Sequence, residues 1–255
     1  MSLARIGCVP YLNARPLLVG LRGLSLPIRE LVPAKLGEAF QAGEFDAALL
    51  SSIDVISQEN PQAVDGVSIS SRGNVHSVIL AYEGDLKRIE SVVLDPASHT
   101  SNALLRIVLE EFHGILPEYV QSNSVESKNL ACLMIGDPAL LFRKTALGSE
   151  MQFLDLGGEW FRNTGLPFVF AMWSLKSDYM KKKELSEQLR SAKRLGLEHR
   201  SAIAALEADP DSSLHYLTEL IRYDLGDREK AGLTLFGEFL RKKEITKVNN
   251  KIIYY

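Results

Sequence analysis

Two cysteines in 255 residues, Cys8 and Cys132, are too few for a disulfide framework. Both sit in apolar runs, "RIGCV" and "LACLMI", where cysteine behaves as a small buried hydrophobe, and neither has a CxxC partner or metal-ligand spacing. Excess basic charge is also missing. The 29 Lys and Arg against 32 Asp and Glu leave −3, with no long basic stripe, so the phosphate-neutralising term of nucleic-acid binding is absent. The densest basic runs, Lys181 to Lys183 and Arg241 to Lys243, adjoin helical patterns and read as solvated faces. No stretch approaches the roughly 18 apolar residues of a membrane span, and the start lacks the parts of an export signal. The expectation is a cytoplasmic, reduced protein with neither nucleic acid nor membrane as partner. Familiar motifs are missing too: no GxGxxG after a strand, no Walker loop, no HExxH and no GxSxG elbow.

What is present is an ordinary globular composition, 46% hydrophobic and 24% charged, in a chain able to bury roughly 70 to 75% of its unfolded surface. Short apolar runs alternate with helical patterns, the mark of an α/β fold. Residues 4–9 read as a strand and 13–22 as a helix with Asn13 as N-cap before Leu17, Leu18 and Leu21. In "PAKLGEAFQAGEFDAALLSS" a helix carries Leu36, Ala39 and Phe40 on one face, Gly43 stops it, and "DAALL" follows as a buried strand. "HSVILAY", "SVVLD", "LACLMIGD" and "PFVFAMWSL" read as further strands, and a helical pattern of Leu104, Leu105, Val108, Leu109 and Phe112 begins at Thr100. Beyond residue 178 helices dominate, the last with Asp227 as its cap. The tail "KVNNKIIYY" is open between a strand and a loose end.

In open α/β sheets ligands bind beyond the carboxyl ends of strands, so polar residues there are the first candidates. Four clusters qualify: Tyr11 and Asn13; Ser51 and Ser52; Ser98, Thr100, Ser101 and Asn102; and Gly136 with Asp137. The third, in "LDPASHTSNALL", gathers hydroxyls and free N–H groups at a helix start, a setting suited to a carboxylate. Capping alone needs only one or two of these residues. Among five histidines, His113, His199 and His215 fall in or at the end of helical patterns, whereas His76 and His99 lie near strand and helix ends. Asp137 reads either as a general base or as a carboxylate satisfied by neighbouring N–H groups.

The ordered set "GCVPYLNARPL", "DAALLSS", "SVVLDPASHTSNALL", "MIGDPALL", "LDLGGEWFRNTGLPFVFAMW" and "IRYDLGDREKAGLTLF" resembles the chorismate dehydratases of the futalosine-dependent menaquinone pathway. The resemblance runs from about residue 5 to 240. It implies a two-lobed α/β fold like that of the type 2 periplasmic binding proteins, with the ligand in the cleft between lobes. The expected lobes are residues 1–82 with 174–255, and residues 83–173, joined by crossovers near 80–84 and 171–175. The implied reaction is loss of water from chorismate to give 3-[(1-carboxyvinyl)oxy]benzoate, with no metal or redox cofactor.

Carried onto this chain, the resemblance implies that Ser98, Thr100, Ser101 and Asn102 bind one carboxylate, with Ser51 and Ser52 contributing from the other lobe. Tyr11 and Asn13 would contact the ring substituents, Asn13 bonding the departing hydroxyl. Ser77, Gly136 and Thr164 complete the expected binding set. Arg15 is left as a carboxylate counter-charge or a surface residue, and the proton acceptor as Asp137, His99, His76 or the substrate's own enolpyruvyl carboxylate. Two other readings stand beside it: the related 1,4-dihydroxy-6-naphthoate synthase, which shares the implied fold, and a non-catalytic small-acid-binding protein.

Overall fold

The computed structural model describes residues 3–121, 129–248 and 250–255. Among them eleven strands form two sheets. In chain order they are β1 (Ile6–Cys8), β2 (Ile28–Glu30), β3 (Ala47–Ser51), β4 (Gln62–Ser71), β5 (Val78–Glu83), β6 (Ser91–Val93), β7 (Glu118–Val120), β8 (Leu130–Ile135), β9 (Met151–Asp155), β10 (Phe168–Leu175) and β11 (Ile253–Tyr254). The first sheet has the order β11-β4-β10-β3-β1-β2 and the second β7-β6-β8-β5-β9. In the first sheet β1 runs parallel to β2 and β3, while the returning β10 is antiparallel to both β3 and β4. In the second, β6 is parallel to β7 and β8, and β5 is antiparallel to β8 and β9.

The helices follow from local sequence. They are α1 (Arg15–Gly23), α2 (Pro33–Gln41), α3 (Ser52–Ile56), α4 (His99–Ile107), α5 (Gly136–Thr145), α6 (Leu156–Thr164), α7 (Lys182–Glu198), α8 (Arg200–Ala204), α9 (Pro210–His215) and α10 (Asp227–Lys242). Pro16 and Pro33 stand in the first turns of α1 and α2, where the missing N–H costs nothing. The apolar run of β3 is buried at every position, as a strand covered on both faces requires.

The chain passes from the first sheet to the second between Ser71 and Val78, and returns between Asp155 and Phe168. The crossovers expected near 80–84 and 171–175, and the divisions at 82/83 and 173/174, fall inside β5 and β10. Ladder pairing ties each of those strands along its length to one sheet. Buried Asp155 clamps both passages, accepting N–H bonds from Val75 (3.0 Å), His76 (2.7 Å) and Gly158 (2.9 Å). Within the return passage Trp160 joins the lobes, its ring 5.3 Å from Phe168, 6.1 Å from Phe236 and 6.3 Å from Phe112.

Two local expectations change and one left open is decided. Asn13 does not cap a helix: it lies inside a 3-10 turn, Leu12–Ala14, and α1 starts at Arg15 with no side-chain cap. The N-cap of α10 is Gly226, whose N–H is held by Glu229 Oε2 at 3.0 Å, so Asp227 is the first helical residue. The tail ends as β11, paired parallel to β4.

Candidate active site

Strands β1, β3 and β8 and the 72–77 passage all end at one place, the seam between lobes. After β1 the chain turns through extended Tyr11, whose half-buried ring lies against Gly136 at the end of β8. Gly136 has φ +63, a left-handed conformation, and a Cβ built there would stand 3.1 Å from Tyr11 Cδ1. Its N–H donates to the Ser77 carbonyl at 2.8 Å, tying the end of β8 to the passage. Between the lobes lies a cavity of about 70 Å³. Its walls include apolar Val9, Leu49, Ile69 and Phe170, and its polar lining is Tyr11, Asn13, Ser51, Ser77, Ser98, Thr100 and Ser101. No lysine, arginine, aspartate or glutamate is among the described lining residues.

The hydroxyl cluster splits by role. Ser98 caps α4, accepting from the Ser101 N–H at 3.1 Å and donating to Ser101 Oγ at 2.9 Å. Thr100 is not needed for capping, and its Oγ1 accepts the Ile53 N–H of the other lobe at 3.0 Å. A matching bridge joins the Leu12 N–H to Asp137 Oδ1 at 2.9 Å. Each of these N–H groups is thus held by an oxygen from the opposite lobe. Asn13 Oδ1 is buried with no hydrogen-bond partner.

Several candidates stand outside this cavity. Ser52 turns away and donates to the Val169 carbonyl at 2.5 Å. Asn102 clasps the loop before α4, bonding both the N–H and the carbonyl of Asp95. Thr164 closes α6 by bonding the Trp160 carbonyl at 2.7 Å. Arg15 is ion-paired with Glu207. His99 sits at the rim, 56% exposed, with Nδ1 3.2 Å from Asp54 Oδ1, and Ser51 Oγ donates to the same carboxylate at 2.7 Å. His76, at φ +63, flanks the lining residues Val75 and Ser77 without lining the cavity itself.

Burial sets the electrostatics. Desolvation, with the charges of Asp95 and Asp137, pushes the Tyr11 phenol up, and desolvation raises the Asp95 carboxyl. Burial, then the charge of Arg143, lowers His76 and favours its neutral imidazole. Two residues that sequence reading passes over, Tyr216 and Tyr223, lie buried beneath the site. Tyr216 donates to Ser77 Oγ at 2.8 Å and Tyr223 to the Asn13 carbonyl at 2.9 Å. Their only sequence signal is a tyrosine pair in an apolar helical run, "LHYLTELIRY", which reads as core.

Two α/β lobes with a polar cavity on their seam define the periplasmic-binding-protein-like class. A conserved Candida albicans gene product described as exhibiting the generic periplasmic binding protein structural fold superposes with TM-score 0.65 at 12% identity, covering 98% of this chain and 92% of that one. The model of the family described as "Menaquinone biosynthesis" matches residues 4–242, and the chain belongs to that family. Among curated relatives, the chorismate dehydratase of Thermus thermophilus is 32% identical over 257 residues, covering 92% of this chain and 94% of the relative. That of Campylobacter jejuni is 26% identical over 241 residues, covering 90% and 94%.

Proposed function

We propose that this protein is a chorismate dehydratase, a hydro-lyase that converts chorismate to 3-[(1-carboxyvinyl)oxy]benzoate and water. The observation that carries the reading is the cavity lining: neutral donors at strand and helix ends, gathered from both lobes, with no charged side chain among them. Such a lining suits a small acid with two carboxylates. Helix starts and N–H groups favour each charge by about 0.3 to 1 kcal/mol, and more when partly buried. A cavity of about 70 Å³ holds only a few waters, so the lobes separate to admit the ring. As they do, the Leu12 and Ile53 N–H groups leave Asp137 and Thr100 and become free for substrate oxygens.

The reaction removes the ring C3 hydrogen as a proton and expels the C4 hydroxyl as water, and aromatisation of the ring drives it. Asn13 lines the cavity and its Oδ1 is unpartnered, which suits it to meet a hydroxyl, and Tyr11 forms an aromatic wall. Thr100 and Ser101, whose oxygens accept here and keep their hydroxyl protons, hold one carboxylate, Ser98 orients Ser101, and Ser77 contacts the other end of the acid. His99, His76 and Asp137 all lie off the lining, which favours the substrate's enolpyruvyl carboxylate as proton acceptor. Incubating the protein with chorismate and recording ultraviolet spectra tests the reading: a new aromatic absorbance supports it. Chorismate that binds and emerges unchanged assigns a binding protein instead.

A further inference from the structure

The buried phenol of Tyr216 lies in neither sheet. It is the first residue of a π-helical turn, Tyr216–Leu220, in the strand-poor C-terminal part of the chain. Such single-turn distortions gather at functional sites because they re-aim one side chain. Here the hydroxyl is aimed at the cleft from below, 2.8 Å from Ser77 Oγ as donor. The Asn13 side chain lies beside the same phenol. Asn13 Oδ1 has no hydrogen-bond partner.

The bond from Tyr216 determines which way Ser77 points. A phenol has one proton, and Tyr216 gives it to Ser77. Ser77 Oγ, already accepting, keeps its own proton for another acceptor, and Ser77 lines the cavity. The Asn13 side chain lines the same cavity. The buried surroundings hold the phenol in its protonated form, so the direction does not reverse with pH.

We propose that Tyr216 is a positioning residue of this site: its hydroxyl fixes the polarity of Ser77, so that this serine presents a donor to the bound acid. The proposal rests on the dehydratase reading and extends it to a residue that touches no substrate. Without the phenol, Ser77 is free to donate inward and loses its preset orientation.

The test uses the whole protein with chorismate as probe. Wild-type turnover comes first, and its absence overturns the dehydratase reading rather than this proposal. With turnover present, Tyr216→Phe, which preserves the packed ring, loses at least tenfold in kcat/KM while its circular dichroism remains that of the wild type. Ser77→Ala loses at least as much, and this arm holds whether or not the tyrosine variant folds. In the double variant the loss falls short of the product of the single losses by at least fivefold, because both changes break one chain of hydrogen bonds. A phenol that merely fills the core gives losses that multiply. Multiplying losses, Tyr216→Phe turnover within twofold of wild type, or an active Ser77→Ala each overturn the proposal.

Discussion

Placing a methyl group at Gly136 tests the site at its narrowest point. Alanine there meets two separate costs. The backbone stands at φ +63, and a side chain in the left-handed region costs about 1 to 2 kcal/mol. The new Cβ would lie 3.1, 3.2 and 3.3 Å from Tyr11 Cδ1, Cε1 and Cγ, whereas carbon atoms pack best at about 3.5 to 4.0 Å. The ring must retreat by roughly half an ångström or the lobes must part. For a chain of this size the backbone cost lowers Tm by about 2 to 8 °C. Moving a cleft wall by half an ångström costs about tenfold in turnover, on the scale where a 1 Å misplacement costs about a hundredfold. Thermal unfolding followed by circular dichroism measures the first, and chorismate consumption measures the second. Gly136→Asn separates them, because asparagine tolerates the left-handed region while keeping the same Cβ. Its Tm loss is smaller than that of Gly136→Ala, and its turnover loss is equal. If Gly136→Ala unfolds and turns over like the wild type, the closed contact between Tyr11 and Gly136 is not part of the working enzyme.

Three further outcomes follow from the same geometry. Asn13→Ala lowers turnover at least tenfold, about 1.4 kcal/mol in the barrier, with the fold intact by circular dichroism; near-normal turnover refutes its contact with the reacting hydroxyl. Asp137→Asn and His99→Asn each retain turnover within a hundredfold, because neither side chain lines the cavity, and a loss beyond a thousandfold in either identifies a protein base. His76 has its pKa lowered from 6.5 by burial, so the unfolded chain takes up that proton first as pH falls. Its contribution to stability is complete above pH 6.5 and is lost progressively below it, toward the folded value. Denaturant midpoints between pH 7.5 and 5 therefore fall less steeply in His76→Asn than in wild type, and identical slopes contradict the assignment.

The two bridges between lobes give the cleft its chemical character. The Leu12 and Ile53 N–H groups are donors that must be satisfied, and Asp137 and Thr100 do so from across the seam. On the proposed reading substrate oxygens take those two places on opening, so that hydrogen bonds are exchanged and no donor is left stranded. The ion pair of Lys144 with Asp209 adds a link at the rim between α5 and the N-cap of α9, at 2.7 Å. It is solvent-exposed, so it adds little to the stability of that contact.

Much of this protein was legible in its residues alone. Alternation of apolar runs with helical patterns established the α/β class, because burial of a strand or of one helix face leaves a period that needs no tertiary partner to be read. Hydroxyls and Asn13 at strand ends marked the cleft for the same reason: polar groups at those positions have no core role to explain them. What only the tertiary structure decided is which of them turn inward. Ser52, Asn102 and Thr164 share the chemistry of Ser51, Ser98 and Thr100, yet each is consumed by a nearby backbone carbonyl or loop, a choice made by side-chain direction and not by type. The passages between lobes followed ladder pairing, which joins residues far apart in sequence. Tyr216 lies 139 positions from the serine it bonds, and no local pattern distinguishes a core tyrosine from one whose single proton orients a binding site.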